Sequence, residues 1–193
     1  PKIPVTTNMM GFYKNLDYQK WAAYLDFVSW DNYPANEAPP SSAAMSHDLM
    51  RGLKQGAPFA LMEQTPSVTN WLSYNALKRP GVMRLWSYQA IAHGSDSVLF
   101  FQMRRSIGAC EKYHGAVIDH AGHEYTRVFR EVKGLGRELG RLGGEIPGSR
   151  VKARAAILVD WDNWWALEYS AGPSCDLKYL DEVQRYYDAF YKK

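Results

Sequence analysis

The chain has 193 residues, of which 46% are hydrophobic and 22% charged, and a net charge of +3; this is enough apolar material for one sizeable core, while the basic residues are scattered among acidic ones instead of forming the stripe that a nucleic-acid backbone requires. No apolar run reaches the length of about eighteen residues that spans a bilayer, and the first residues lack the basic, apolar and cleavage regions of an export signal, so a cytoplasmic chain with neither a nucleic-acid nor a membrane partner is expected. Cys110 and Cys175 lie far apart, without cysteine or histidine at ligand spacing, which predicts free thiols with neither a disulfide framework nor a zinc site; no cofactor is expected.

In chain order, Val5 to Met10 reads as a short buried strand, and Asp17 to Leu25 as a helix with Asp17 as its cap. Phe27 to Trp30 is a second strand, Ser42 to Gln55 a second helix and Phe59 to Met62 a third strand. A helix from about Pro80 to His93 comes next, with Pro80 suited to a first helical turn, and then a fourth strand, Ser97 to Phe101. Each strand hands over through a loop rich in polar and aromatic residues, and each helix returns through a short one such as Gln55-Gly56-Ala57-Pro58. That is the rhythm of a (β/α)8 barrel, in which loops at the strand C-termini build the active site. Only four such units are present, about half of what closure needs. A doubly wound open sheet is the alternative, but no glycine-rich phosphate loop follows any strand.

After His114 to Ala121 comes a long helical pattern, His123 to Arg141, punctuated by Gly134, Gly136 and Gly140. Gly143-Gly144 and Pro147-Gly148 then break the chain. Ala155 to Val159 reads as a fresh β-like run, followed by Asp160-Trp161-Asp162-Asn163-Trp164-Trp165 and a tyrosine-rich helix from Leu180 to Tyr191. The division predicted is 1–148 for the first domain and 149–193 for a truncated second α/β domain, and the start at Pro1 without an initiator methionine reads as that of a fragment.

Glu63 stands where the apolar run Phe59-Ala60-Leu61-Met62 opens into Gln64-Thr65-Pro66. A carboxylate there is costly unless it is hydrogen-bonded or put to use; by position alone it suits either a nucleophile attacking an anomeric carbon or an ion-paired glutamate. The excess of rings, 7 Trp and 13 Tyr, serves cores first, yet rings at strand ends also match the flat face of a pyranose. Asn36-Glu37 falls in the proline-rich stretch Pro34 to Pro40 with no strand leading into it, and reads as an exposed loop. Tyr33, Arg104 and Arg105 lie at strand C-ends, whereas His47, His93, His120 and His123 show neither metal spacing nor a nucleophile context.

Glu63-Gln64-Thr65-Pro66-Ser67-Val68-Thr69-Asn70-Trp71 resembles the nucleophile segment of glycoside hydrolase family 42 β-galactosidases. Phe100 to Arg105 followed by Glu111-Lys112-Tyr113-His114-Gly115 resembles that family's strand-8 segment, Trp30-Asp31-Asn32-Tyr33-Pro34 its strand-6 end, and Thr6 to Met10 its strand-5 end. Ala155 to Trp165 resembles the start of its flavodoxin-like second domain. The resemblance implies the second half of a (β/α)8 TIM barrel, strands 5–8, that is, the C-terminal half of the catalytic domain. It implies Glu63 as the nucleophile of a retaining hydrolysis of terminal β-D-galactosides, with Trp71, Glu111 and His114 binding the sugar and Tyr33 helping to line the pocket. The acid/base glutamate would lie upstream, leaving this chain inactive alone and prone to self-association or to pairing with the missing barrel half, and the parent would be a homotrimer acting on β-galactosides or galacto-oligosaccharides. The alternative is a non-catalytic carbohydrate-binding half-barrel. Met103, where family members commonly carry a tryptophan, departs from the pattern and would loosen one wall of the pocket.

Overall fold

The computed structural model describes residues 3–170 and 172–193. Four short strands, β1 (Asn8–Met9), β2 (Ser29–Asp31), β3 (Phe59–Glu63) and β4 (Ser95–Val98), form one sheet in the order β1-β2-β3-β4. All neighbouring pairs are parallel, so each connection must cross over the sheet. The crossovers contain α1 (Tyr18–Ala22), α2 (Pro40–Gly52) and α3 (Val82–Ala92). Strands succeed one another in space as in sequence, with none of the reversal that marks a doubly wound sheet. Three more helices complete the chain: α4 (Arg127–Leu142), α5 (Trp161–Glu168) and α6 (Tyr179–Tyr191).

Local chemistry sets the helix starts. The Asp17 carboxylate accepts from the backbone N–H groups of Gln19 at 2.9 Å and Lys20 at 3.2 Å, satisfying donors that the first turn leaves free. Asp160 caps α5 through Asn163 N–H, and Thr126 caps α4 through Phe129 N–H. Pro80 lies outside its predicted helix: Gly81, at φ 84°, is the residue before α3, and that left-handed turn suits glycine.

The core joins the sheet to both sides of the chain. Met9, Val28, Trp30, Phe59 and Leu61 from the strand segments pack with Tyr18, Ala22, Met50 and Ala90 from the helices. Trp161 and Trp164 of α5 enter the same cluster. The Trp161 indole N–H donates to Tyr13 O at 3.1 Å, that of Trp165 to Lys14 O at 2.6 Å, and Lys14 pairs with Glu168 at 3.0 Å. Helix α6 lies on α2, where the Tyr187 hydroxyl donates to Asp48 at 2.6 Å.

The structure corrects the reading of the last segment as the start of a flavodoxin-like α/β domain. Ala155 to Val159 forms no strand, and Leu158 is 90% exposed. The run has β-forming residues but no partner strand among the described residues, and a lone extended segment gains no ladder. Beyond it the chain is helical, in α5 and α6. No helix of the described residues is long and apolar enough to cross a membrane.

Candidate active site

Parallel strands aim all their C-termini at one end of the sheet, and there the polar groups collect. Phe59, Ala60 and Leu61 are buried, which anchors β3 and delivers Glu63 to its rim. Tyr33 Oη donates to Glu63 Oε2 at 2.8 Å, and Asn8 Nδ2 donates to Glu63 Oε1 at 3.1 Å. The same Asn8 nitrogen donates to Asp31 Oδ1 at 3.0 Å. Glu63 thus has a neutral donor on each oxygen, and no ion pair holds it among the described residues.

The electrostatics result from burial and from the two carboxylates standing together. Burial, then the hydrogen bond to Glu63 and its charge, push the Tyr33 phenol far above the ordinary tyrosine range, so it stays a donor. Burial, then the charge of Glu63, raise Asp31 to about 7, against the opposing bond from Asn8.

Tyr33 is also the hinge of an aromatic wall. Its ring meets Trp71 edge-on at 5.5 Å and His114 at 5.6 Å, and Phe101 packs against His114 at 5.1 Å. Trp71 keeps 56% of its surface exposed, a flat face available to a ligand. His114 is buried, Nε2 included, and its Nδ1 is 3.1 Å from Asn70 Oδ1. Burial pulls its pKa below the usual histidine value. Glu111, half-buried and with its carboxylate free of hydrogen bonds among the described residues, adds negative charge felt by both Tyr33 and His114.

Two loops must fit closely for this to happen. The Lys78 ammonium is buried, donates to Thr65 O and lies 4.3 Å above the Trp86 ring, while Lys78 N–H donates to Ser67 O at 3.0 Å. Burial lowers its pKa to about 7. Gly115 N–H donates to Val68 O at 2.7 Å, and a Cβ on Gly115 would come within 2.2 Å of Ser67 Oγ and 2.7 Å of Val68 N. Only glycine lets the His114 segment lie against the loop that carries Trp71. Glu111 and His114 sit in a turn, not on a helical face, joined by a backbone bond from His114 N–H to Glu111 O at 2.9 Å.

Glu63, Tyr33, Trp71, His114 and Glu111 therefore gather at one end of the sheet. Arg105 does not face the pocket as a free cation: it pairs with Asp119 at 2.9 Å and donates to Tyr113 O. Arg104 and Glu37 are exposed. His47 is buried against Trp30 and Phe59, and His93 pairs with Asp48. Sequence reasoning passed over Asn8, Asp31 and Asn70 as site residues. The available signal was positional for Asp31, which closes β2 just as Glu63 closes β3; Asn8 opens β1 and carried no such signal.

Residues 1–142 match the family model described as β-galactosidase, of glycoside hydrolase family 42, and residues 153–193 that described as the β-galactosidase trimerisation domain. The chain is 65% identical over 192 residues to the β-galactosidase BgaP of Planococcus sp. strain L4, covering 100% of this chain and 28% of that protein. It is 50% identical to BgaB of Geobacillus sp. strain Y412MC61, covering 100% of this chain and 29% of the relative. The crystal structure of β-galactosidase from Bacillus circulans sp. alkalophilus superposes with a TM-score of 0.96 at 65% identity, over 98% of this chain and 28% of that one. The chain thus spans less than a third of the length of these relatives.

These matches also correct the placement expected from the sequence. The description as the C-terminal half of the barrel, strands 5–8, running into a flavodoxin-like domain, gives way to a segment amounting to 28% of its relatives that already includes a match to the trimerisation domain. Its strands carry only their own order, β1 to β4. With its first 142 residues matched throughout by the family model, the chain belongs to the family 42 β-galactosidases.

Proposed function

We propose that the chain supplies the nucleophile side of the active site in a retaining β-galactosidase that hydrolyses terminal β-D-galactosides, galacto-oligosaccharides included, by double displacement. The observation that carries this is Glu63 at the β3 C-terminus, fixed by Tyr33 on one oxygen and Asn8 on the other, uncompensated by any cation among the described residues and next to an exposed tryptophan face. Glu63 attacks the anomeric carbon as a second carboxyl group protonates the leaving oxygen, and water then cleaves the glycosyl ester with that second group acting as base. Trp71 stacks on the sugar, and His114 and the half-buried Glu111 carboxylate bind its hydroxyls.

The second carboxyl group must stand roughly 5–5.5 Å from Glu63 with the glycosidic bond between them. Asp31 does not fit, because Asn8 Nδ2 fills the gap between it and Glu63. The acid belongs to a part of the enzyme outside this chain, so the chain alone is inactive. The trimerisation-domain match over 153–193 supports a homotrimeric parent; the division near Gly148 rests on the glycine-rich break after α4.

The test is hydrolysis of a chromogenic β-galactoside by the full-length enzyme carrying this segment, with covalent trapping by a 2-deoxy-2-fluorogalactoside and peptide mapping. Glu63→Gln lowers kcat by about a thousandfold or more, and the label falls on Glu63. A label on another carboxylate, or turnover by the isolated chain, overturns the reading. A non-catalytic, self-associating role draws support from the exposed apolar residues beside the two outer strands, Met10 at 53% and Leu99 at 41%; absence of turnover in the intact enzyme would favour it.

A further inference from the structure

We propose that Asn8 and Asp31 are positioning residues for the nucleophile: Asp31 fixes the Asn8 side-chain amide so that its second proton is delivered to Glu63 Oε1. The inference rests on Glu63 being the nucleophile. Its basis is that side chains from three adjacent strands meet at Glu63. Asp31 of β2 pairs in register with Glu63 of β3, and Asn8, which opens β1 level with Ser29, reaches both carboxyl groups through its side-chain amide.

A side-chain amide has two N–H donors on one end and an acceptor oxygen on the other. Asn8 Nδ2 lies 3.0 Å from Asp31 Oδ1, 3.3 Å from Oδ2 and 3.1 Å from Glu63 Oε1, so both donors are engaged by neighbouring carboxyl groups. Without Asp31, nothing prevents the amide from turning its oxygen toward Glu63, where two acceptors repel. With Asp31 in place only the donor end faces the nucleophile. Tyr33 Oη fixes the other oxygen at 2.8 Å, and the two bonds together hold the plane of the attacking carboxylate, the kind of preorganisation that shortens the path to a near-attack geometry.

The titratable groups facing Asp31 are Glu63 on β3, Tyr33 beyond β2 and Tyr18 on α1. None is a cation, and Asp31 enters no ion pair among the described residues. Burial and the Glu63 charge raise it to about 7, which keeps a second full negative charge away from the nucleophile below that pH while leaving a carbonyl oxygen to accept from Asn8. Forming the glycosyl ester removes the Glu63 charge and with it part of that push.

The experiment measures the rate of Glu63 labelling by a 2-deoxy-2-fluorogalactoside, with kcat and KM, in the full-length enzyme. Asn8→Ala and Asp31→Ala each slow labelling by about ten- to a hundredfold with KM changed little, and the double variant is no slower than the worse single one, because both remove the same bond. Asp31→Asn keeps the acceptor oxygen and the shape, and restores the rate to within several-fold of the native enzyme; Asp31→Leu keeps the volume without the acceptor and does not. Labelling of Glu63 at the native rate in the alanine variants, additive losses in the double variant, or equal losses in Asp31→Asn and Asp31→Leu would overturn the proposal. A label on a residue other than Glu63 overturns the nucleophile reading instead, so the two failures are distinguishable.

Discussion

The rim at the strand C-termini and the seam between the sheet and the last two helices use similar residues for opposite ends. At the seam, the indoles of Trp161, Trp164 and Trp165 all donate, to Tyr13 O, Glu168 and Lys14 O, and Trp161 and Trp164 are almost wholly buried. At the rim, Trp71 lies half open, the half-buried Glu111 carboxylate carries no hydrogen bond among the described residues, and two carboxyl groups share one amide. Saturated aromatic burial holds a joint, whereas capacity left open is what a ligand can use. Hence the same residue type costs stability when removed from one region and activity when removed from the other.

Substitutions at each region sharpen that contrast. The largest stability effect is expected for Trp161→Ala, since it empties a fully buried site and orphans Tyr13 O; a loss of about 3–5 kcal/mol should appear as a strongly lowered Tm of the full-length enzyme while kcat/KM of the surviving folded fraction changes little. Unchanged Tm would mean that the α5 seam contributes nothing to the joint. Gly115→Ala comes next and reports on the rim: the added methyl must displace Ser67 or the Val68 backbone, at a cost of about 1–3 kcal/mol for overpacking, and galactoside KM should rise more than tenfold as Trp71 and His114 separate. A KM at the native value would show that the two loops need not touch for sugar binding.

The smallest effect belongs to Tyr187→Phe, which deletes the bond to Asp48, about 0.5–1.5 kcal/mol. Although burial pushes the Asp48 carboxyl up, the bonds from His93 and Tyr187 and the charges of His93 and Arg51 hold it below the ordinary aspartate range. A carboxyl depressed in the folded state adds stability above its unfolded pKa and loses it as pH falls through the folded value. Tyr187→Phe should therefore lower Tm at pH 7 and converge with the native enzyme in acid. A constant Tm difference across pH would detach the hydroxyl from Asp48.

The parallel βα alternation was legible because each strand is a short apolar run bounded by polar loops, and Asp17 announced its helix by a chemistry that is local. Glu63 stood out by position, and the resemblance of its segment to the family's nucleophile stretch pointed to Tyr33, Trp71, Glu111 and His114. Asn8 and Asp31 were passed over because each is unremarkable alone; their meaning comes from side chains of three strands meeting at Glu63. Ala155 to Val159 misled for the converse reason, since β-forming residues make a strand only when a partner is present, and among the described residues none lies alongside.

By itself, then, the sequence determined what is decided within a few residues: the four apolar runs that carry the parallel strands, the Asp17 cap and the carboxylate at the mouth of a buried strand. Only the tertiary structure decided that Trp161 and Trp164 complete the core of the sheet, that Gly115 must be glycine, and that one asparagine amide is shared between Asp31 and Glu63. Those facts depend on segments far apart in the chain meeting at hydrogen-bond distance, and periodicity and composition hold no record of such meetings.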